Sequence, residues 1–164
     1  MYLIFDTETT GLPQNFKAPL TDFNNWPRCV QLAWQAHDVE GKLKEVKNYI
    51  IKPDGYDIPF NAEKIHGIST DLALREGISL VNVLIEFVED VKKSKFVIGH
   101  NISFDNNIIG CELLRKEMPN ILVDFASIDT KDDSTDFCAI AGGRGGGFKW
   151  PNLTELHTKL FGKD

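Results

Sequence analysis

The sequence predicts an α/β domain with a mixed sheet: a three-strand antiparallel meander, then parallel strands, flanked by helices. Two observations predict it. Three strand-like segments fall within residues 2–51, and helical and strand patterns alternate after them. The chain has 164 residues, of which 42% are hydrophobic and 26% charged. These values fit one globular domain with a real core and argue against a disordered chain.

The first three strands follow from hydrophobic patterning. Residues 2–6 form a short apolar and aromatic run, which predicts a buried strand. Residues 30–37 alternate apolar and polar side chains, as a half-buried strand does. Residues 43–51 resemble them and stop at Lys52 and Pro53. The short connections predict a meander.

Helical and strand patterns then alternate along the chain. Residues 61–66 predict a short helix that stops at Gly67. Ser79 precedes a long amphipathic helix, in which apolar residues recur at spacings of three and four. Residues 96–99 predict a buried strand, and residues 104–118 the helix after it.

The last third of the chain is patterned more weakly. A short strand is expected within residues 121–128, and the glycine-rich residues 142–147 predict a flexible connection. Asn152 begins a last helix that ends near Gly162. Its three leucines are expected to face inward: Leu153, Leu156 and Leu160.

Charge and cysteine content restrict the function. The net charge of −6 gives no basic footprint of a nucleic-acid binder, although bound metal ions could supply local positive charge. The three cysteines include no C-x-x-C pair, so a zinc site or a disulfide framework is not predicted. No signal peptide or membrane-spanning segment is recognisable. We therefore expect a cytoplasmic protein without a membrane partner.

Two carboxylates follow the first strand. Asp6 and Glu8 are two residues apart, so on a strand they share one face at a spacing of roughly 6.6 Å. At that spacing they repel by about 2.5 kcal/mol at an effective dielectric near 20. A solvated strand end is one interpretation. A divalent cation beside them is the other, and carboxylate oxygens suit Mg²⁺ or Mn²⁺.

A second polar motif follows the strand at residues 96–99. His100 and Asn101 follow this strand, and Phe104 and Asp105 lie at the start of the next helix. Asp105 alone would be interpreted as an acid that interacts with the helix dipole, and His100 alone as a structural histidine. In combination with the first motif, Asp105 becomes a third candidate metal ligand.

These motifs together resemble the DnaQ-like (DEDD-type) 3′→5′ exonuclease family. The first motif is Asp-Thr-Glu-Thr-Thr-Gly-Leu at residues 6–12, and His-Asn-x-x-Phe-Asp follows at residues 100–105. Ile-His-Gly-Ile at residues 65–68 and Asp-Thr at residues 129–130 also match the family. The leucine-bearing segment at residues 152–162 is similar to its late helix. The resemblance spans essentially the whole chain in the right order.

The resemblance implies an RNase H-like fold and hydrolysis of phosphodiesters with two Mg²⁺ or Mn²⁺ ions. Asp6, Glu8 and Asp105 would be the catalytic metal ligands, and Asp6 would bridge both ions. Single-stranded nucleic acid 3′ ends would be the substrate. The residues implied in substrate binding are Thr7, Thr9, Gly11, Leu12, His66, Asn101 and Phe104, with Leu12 against the terminal base.

The sequence departs from the family in its third motif, a helix that carries a catalytic His (or Tyr) and a last metal-binding Asp. Residues 1–164 stop where the family has the loop before that helix. We therefore expect a C-terminally truncated exonuclease domain with feeble activity. It is either a fragment of a longer protein or a natural inactive relative.

Two other functions stay open at this stage. One is a non-catalytic module that binds a nucleic-acid end or a protein partner. The other is a metal-dependent phosphodiesterase for small nucleotides. A polymerase partner or a homodimer is compatible with the family, and the sequence specifies neither.

Overall fold

The computed structural model describes residues 1–162, apart from the Arg144 side chain. It contains five strands: β1 (Tyr2–Thr9), β2 (Cys29–His37), β3 (Leu43–Ile50), β4 (Val97–Gly99) and β5 (Ser127–Asp129). Its α-helices are α1 (Phe60–His66), α2 (Thr70–Glu76), α3 (Leu80–Lys93), α4 (Ile102–Arg115), α5 (Thr130–Asp133), α6 (Thr135–Cys138) and α7 (Leu153–Phe161). A short 3₁₀ turn spans Arg144–Gly146.

The strands form one mixed sheet in the order β3-β2-β1-β4-β5. The pairs β1–β2 and β2–β3 are antiparallel, as the short connections predict, and β1–β4 and β4–β5 are parallel. The predicted meander and mixed sheet are therefore confirmed. The central strand β1 lies between the two halves of the sheet, so side chains at its C-terminal end are next to those that follow β4.

The main core lies on one face of the sheet. Alternate residues of β1 point to it: Leu3, Phe5, Thr7 and Thr9 are buried, as the pleat requires. The apolar face of α3 and the buried side of α4 pack against them. Burial of this apolar surface is the main force that holds the sheet to the two helices.

A smaller hydrophobic cluster fixes the short helices α1 and α2 beside the sheet. Val30, Ala62 and Ala73 are among its buried members. Gly67 ends α1 in a left-handed conformation, with φ of 79°, and its amide donates to the carbonyl of Glu63. The predicted stop at Gly67 is confirmed. Helix α2 was not predicted, because its seven residues carry a short and weak pattern.

Several boundaries differ from the prediction. Helix α4 begins at Ile102 rather than Phe104 and ends at Arg115, and β5 has only three residues. Ser79 stands at the N-cap of α3 but makes no side-chain cap hydrogen bond. Residues 142–147 are not a featureless connection, since Ala141 and Phe148 pair across them and the 3₁₀ turn lies between.

Helix α7 is the clearest correction. Asn152 caps it, and Asn152 and Glu155 form a reciprocal capping box, as the sequence pattern indicated. Its leucines do not face a packed core: Leu153 is 63% and Leu160 53% exposed. Leu153 and Leu156 instead line a groove of about 600 Å³ over the open face of the sheet. The inward prediction for Leu153 and Leu160 was wrong, because helical periodicity does not show how much of an opposing face is covered.

None of the helices within residues 1–162 combines the length and the apolar character that a bilayer crossing requires.

Candidate active site

Strand β1 and the start of helix α4 carry the three predicted acids on neighbouring elements of the fold. Asp6 and Glu8 lie on the open face of β1, and Thr7 between them points to the opposite face. Because β4 pairs in parallel with β1, the start of α4 lies beside the C-terminal half of β1. Asp105 is in the first turn of α4, where it meets Thr7.

Asp105 is held by neutral donors only. Its Oδ1 accepts a hydrogen bond from the Thr7 amide at 3.0 Å and from the Thr7 hydroxyl at 2.6 Å. The residue is only 3% exposed. Burial raises the pKa of the Asp105 carboxyl to about 7, against the Thr7 hydrogen bonds, and the charge of Asp6 raises it further. This acid is therefore costly to ionise in the folded protein without a cation.

The pKa values of the Asp6 and Glu8 carboxyls are raised as well. Burial raises the pKa of Asp6, and the Thr7 amide and the nearby His100 partly oppose it. Burial and then the charge of Asp6 raise the pKa of Glu8, and His66 partly opposes this shift. The Asp6 side chain also reaches solvent, which screens its charge.

These acids lack a counter-charge. Among the lysine and arginine side chains that the structure describes, none forms an ion pair with Asp6, Glu8 or Asp105. Ion-paired acids in proteins usually have lowered pKa values, whereas these three have raised ones. Clusters with perturbed pKa values of this kind are typical of functional sites.

The donor chemistry of the three acids fits a hard divalent cation. Carboxylate oxygens are preferred ligands of Mg²⁺ and Mn²⁺, and a cation would relieve the repulsion between them. In the described part of the chain, no three His, Cys, Asp or Glu side chains already converge as a metal centre.

A cavity of about 390 Å³, here called the β1 cavity, adjoins the acids. Six of the seven predicted substrate residues line it, together with Glu8: Thr7, Thr9, Gly11, Leu12, His66 and Phe104. The Leu12 side chain is 73% exposed at this cavity. The structure thus brings together a turn, a helix end and the start of α4, which are far apart in the sequence.

Asn101 is the exception among the predicted substrate residues. It does not line the β1 cavity. Its backbone is left-handed, with φ of 71°, and its amide donates to Asp129 Oδ1 at 2.8 Å. Its side-chain oxygen accepts from the Lys131 ammonium. Asn101 therefore serves the turn between β4 and α4, a position that asparagine tolerates better than most residues.

His66 has an unsatisfied ring nitrogen beside the cavity. Its Nδ1 accepts from the Ile68 amide at 3.1 Å, so Nε2 carries the hydrogen in the neutral ring. That Nε2 is buried and has no hydrogen-bond partner among the described residues. Buried polar groups are normally satisfied, so the lone donor next to Glu8 is a sign of function.

His100 lies on the other side of Asp6, in the groove under α7. Its Nδ1 contacts the Thr130 hydroxyl at 3.1 Å and its Nε2 the Pro151 carbonyl at 2.9 Å. Both ring nitrogens are therefore engaged by the protein. This geometry favours a positioning role for His100 over proton transfer.

The sequence analysis missed several residues of the β1 cavity. Helix α1 contributes Asn61, Ala62 and Ile65, and the turn after β1 contributes Thr10. Ile65 is 83% exposed although it is apolar. Its neighbour His66 was recognised. The signal that could have revealed Ile65 is an apolar side chain next to His66 that does not lie on the buried side of this short helix.

Comparison with known proteins identifies the family of this chain. The exonuclease family profile matches residues 3–140. DNA polymerase III subunit epsilon of Rickettsia conorii is 33% identical over 132 residues, which cover 78% of this chain and 51% of that protein. The epsilon subunit of Rickettsia felis is 33% identical over 113 residues, covering 68% of this chain and 43% of that protein. This chain thus spans about half the length of these relatives.

Solved structures show the same fold. E. coli Exonuclease I, in a crystal structure with a dA16 oligonucleotide, superposes with a TM-score of 0.75 at 19% sequence identity. The match covers 99% of this chain and 36% of Exonuclease I. The mixed sheet and its helices are therefore the RNase H-like fold of exonucleases. By its family profile, its relatives and its fold, this chain belongs to the DnaQ-like exonuclease family.

Proposed function

We propose that the domain removes 3′-terminal nucleotides from single-stranded DNA or RNA with the help of Mg²⁺ or Mn²⁺. One observation supports this most directly. Glu8 lines the β1 cavity of about 390 Å³ beside six predicted substrate residues, Asp6 lines the groove under α7, and Asp105 is hydrogen-bonded to Thr7 of the cavity. None of the three acids forms an ion pair with a described lysine or arginine side chain. Family membership makes hydrolysis of nucleic acid the expected chemistry.

Asp6, Glu8 and Asp105 would hold the cations. When bound, such ions lower the pKa of a water molecule and stabilise the attacking and leaving oxygens of a phosphodiester. Asp105 would give up its proton to become a ligand, which its raised pKa delays to near-neutral pH. Thr7 keeps the Asp105 carboxyl oriented through its amide and hydroxyl.

The β1 cavity would hold the terminal nucleotide. The exposed Leu12 side chain and the Phe104 ring offer apolar contact to a base or sugar. The Nε2–H of His66 would donate to a phosphate oxygen or to Glu8, which would satisfy the donor that is now alone. These roles follow from the positions of the side chains around the cavity.

Proton transfer is the step for which the described residues offer least. His100 has both ring nitrogens engaged, and the Nδ1 of His66 accepts a backbone hydrogen bond. Neither ring is free to take a proton from an attacking water. General-base catalysis typically contributes about 10²- to 10⁴-fold, so we expect slow turnover from these 164 residues.

Relatives support the choice of substrate. Exonuclease I binds single-stranded oligonucleotides in its crystal structures, and the Rickettsia relatives are epsilon subunits of DNA polymerase III. By analogy, a single-stranded 3′ end would be the substrate here and a polymerase a possible partner. The Rickettsia relatives are longer than this chain, whose match covers about half of their length.

A calorimetric Mn²⁺ titration tests the metal site first. We expect binding to the unaltered chain and at least tenfold weaker binding in Asp6→Asn and Asp105→Asn. Asp71→Asn, on the first turn of α2, is the matched control and should bind as the parent does. Equal binding by all four proteins would contradict the assignment of the ligands.

A second experiment tests the reaction. An oligonucleotide labelled at its 5′ end is incubated with excess protein and Mn²⁺, and its length is followed. Stepwise shortening from the 3′ end, absent in Asp6→Asn, is the expected result. Mn²⁺ binding without any shortening would indicate a non-catalytic end-binding module. Hydrolysis of a small phosphodiester alone would indicate a nucleotide phosphodiesterase.

A further inference from the structure

Two more cavities continue from the β1 cavity, and both are lined by cations. The first, of about 340 Å³, shares Thr10, Gly11 and Leu12 with the β1 cavity, and we call it the arginine cavity after Arg28 and Arg115. The second, of about 270 Å³, shares Arg28 with the first. We call it the lysine cavity after its Lys52 and Lys116. Each of the three cavities therefore shares lining residues with the next.

The local charge differs from that of the whole chain. Four cations line the arginine and lysine cavities, and two carboxylates accompany them, Asp54 at the surface and Glu112 beneath. Four minus two leaves an excess of two positive charges, whereas the whole chain carries −6. The three acids of the active site repel a polyanion. A positive region next to them would attract it and offset that repulsion.

The two arginines are held in fixed positions. Arg28 Nε donates to Glu112 at 2.8 Å, and its guanidinium stacks over the Tyr56 ring at 4.3 Å. Arg115 donates to the carbonyls of Phe23 and Trp26 at 2.7 Å. The terminal nitrogens of Arg28 make no hydrogen bond to any described residue. These pre-oriented donors are suited to phosphate oxygens.

The other lining residues favour a nucleic-acid strand over a free anion. The Phe23 ring is 40% exposed at the arginine cavity, and the amide side chains of Gln14 and Asn24 are beside it. Cations for phosphates, rings for stacking and amides for hydrogen bonds are the usual components of single-strand grooves.

We propose that the arginine and lysine cavities bind the phosphates of the nucleotides that precede the terminal one. The strand would pass from the β1 cavity over the turn at residues 10–12 and then along Arg28 towards Lys52 and Lys116. This proposal depends on the proposed function, because it places the 3′ end in the β1 cavity. These two cavities, called the track below, would make the protein bind strands more tightly than mononucleotides.

The test compares a strand with a mononucleotide. Fluorescence anisotropy measures binding of a single strand of about 12 thymidines with phosphorothioate linkages that resist hydrolysis, a length within the usual range of such grooves. Competition with thymidine monophosphate reports the β1 cavity alone. The variant is Lys52→Gln with Lys116→Gln. The control is Lys42→Gln with Lys92→Gln. It removes the same charge from the N-terminal side of β3 and the last turn of α3, and neither residue lines the lysine cavity.

We expect the Lys52 and Lys116 variant to bind the strand about tenfold more weakly, with a salt slope reduced by about two. Its affinity for the mononucleotide should stay within twofold, as should all affinities of the control. Asp54→Asn should strengthen strand binding, since it removes the carboxylate that pairs with Lys116.

Three results would overturn the track. Equal losses in both double variants would show a general effect of charge. Mononucleotide binding without any gain from the longer strand would refute the track and leave the proposed function intact. Absence of binding by both ligands would refute the track and the proposed function together.

Discussion

Helix α4 carries two buried acids with opposite environments. Asp105 and Glu112 are seven residues apart, so they lie on nearly the same side of the helix. They are 3% and 0% exposed. Glu112 Oε1 accepts from Arg28 Nε at 2.8 Å and from the Cys29 amide at 2.9 Å, and Arg115 lies 3.7 Å from its Oε2. Asp105 has only the neutral donors of Thr7.

The difference separates a structural acid from a functional one. The charge of Glu112 is compensated inside the fold, and the hydrogen bond to it holds the pKa of Arg28 above its usual value although burial acts against this. The charge of Asp105 is compensated by nothing in the described protein. A buried acid that lacks a cation, next to other acids, indicates that the compensating charge comes with a ligand.

The largest expected effect is on folding when Glu112 is changed to Gln. Two arginines would then face a neutral group in a buried place. Loss of one partner from a buried ion pair typically costs about 3–5 kcal/mol of the free energy of unfolding. Urea denaturation measures this loss. The control is the exposed Glu117→Gln, whose free energy of unfolding should stay within about 0.5 kcal/mol of that of the parent. A loss under about 1 kcal/mol would mean that the two acids are not as different as their surroundings suggest.

Asp105→Asn should raise the free energy of unfolding, whereas Glu112→Gln should lower it. The carboxyl has a folded pKa of about 7, above the ordinary value of 3.8. Its contribution to stability is therefore fully present below pH 4 and is lost as the pH rises to about 7. The amide cannot ionise and can keep the Thr7 hydrogen bonds. Without metal, we expect the variant to be more stable than the parent by roughly 4 kcal/mol at pH 8 and by little at pH 4. Denaturation at both pH values checks this, and a destabilised variant at pH 8 would contradict it.

Mn²⁺ should reduce that difference in stability. A ligand that binds only the folded state at a hundred times its Kd stabilises it by about 2.7 kcal/mol. The parent should gain this much at pH 8 and Asp105→Asn much less. Thermal unfolding with and without Mn²⁺ measures the gain, with Asp71→Asn as a control that should respond like the parent. Equal gains in all three proteins would place the metal elsewhere.

The smallest effect is expected for Thr7→Val. Valine keeps the shape of threonine but removes the hydroxyl that donates to Asp105 at 2.6 Å. One such hydrogen bond contributes about 1 kcal/mol. Its loss should also move the pKa of Asp105 upward, because that bond favours the ionised carboxyl. Denaturation between pH 5 and pH 9 would show the shift, and an unchanged pH profile would exclude this role of Thr7.

Local patterns in the sequence predicted the sheet well. The alternation along residues 30–37 and the stop at Gly67 depend on pleat and backbone geometry, which are local properties. The leucines of α7 were misplaced because their exposure depends on what covers the far face of the sheet. Helix α2 was missed because seven residues are too few for a clear period.

The candidate site was predicted only in part, because motifs are local but contacts between distant residues are not. Asp6, Glu8 and Asp105 were found through motifs, and the structure places Glu8 at the β1 cavity, Asp6 at the groove under α7 and Asp105 against Thr7. Asn101 belonged to a motif as well, but its left-handed backbone directs it to Asp129 and Lys131. The two environments of α4 were not visible in the sequence, because Arg28 meets Glu112 only through the tertiary fold.

The alternation along β1 also constrains how the gene for this domain can change. Odd-numbered residues from Leu3 to Thr9 hold the strand in the core, and Asp6 and Glu8 face the other way. Insertion or deletion of one residue within β1 would exchange the two sets, so that acids entered the core and apolar side chains occupied the active site. Substitutions in this strand can be accepted one at a time, whereas changes in its length would remove fold and chemistry together.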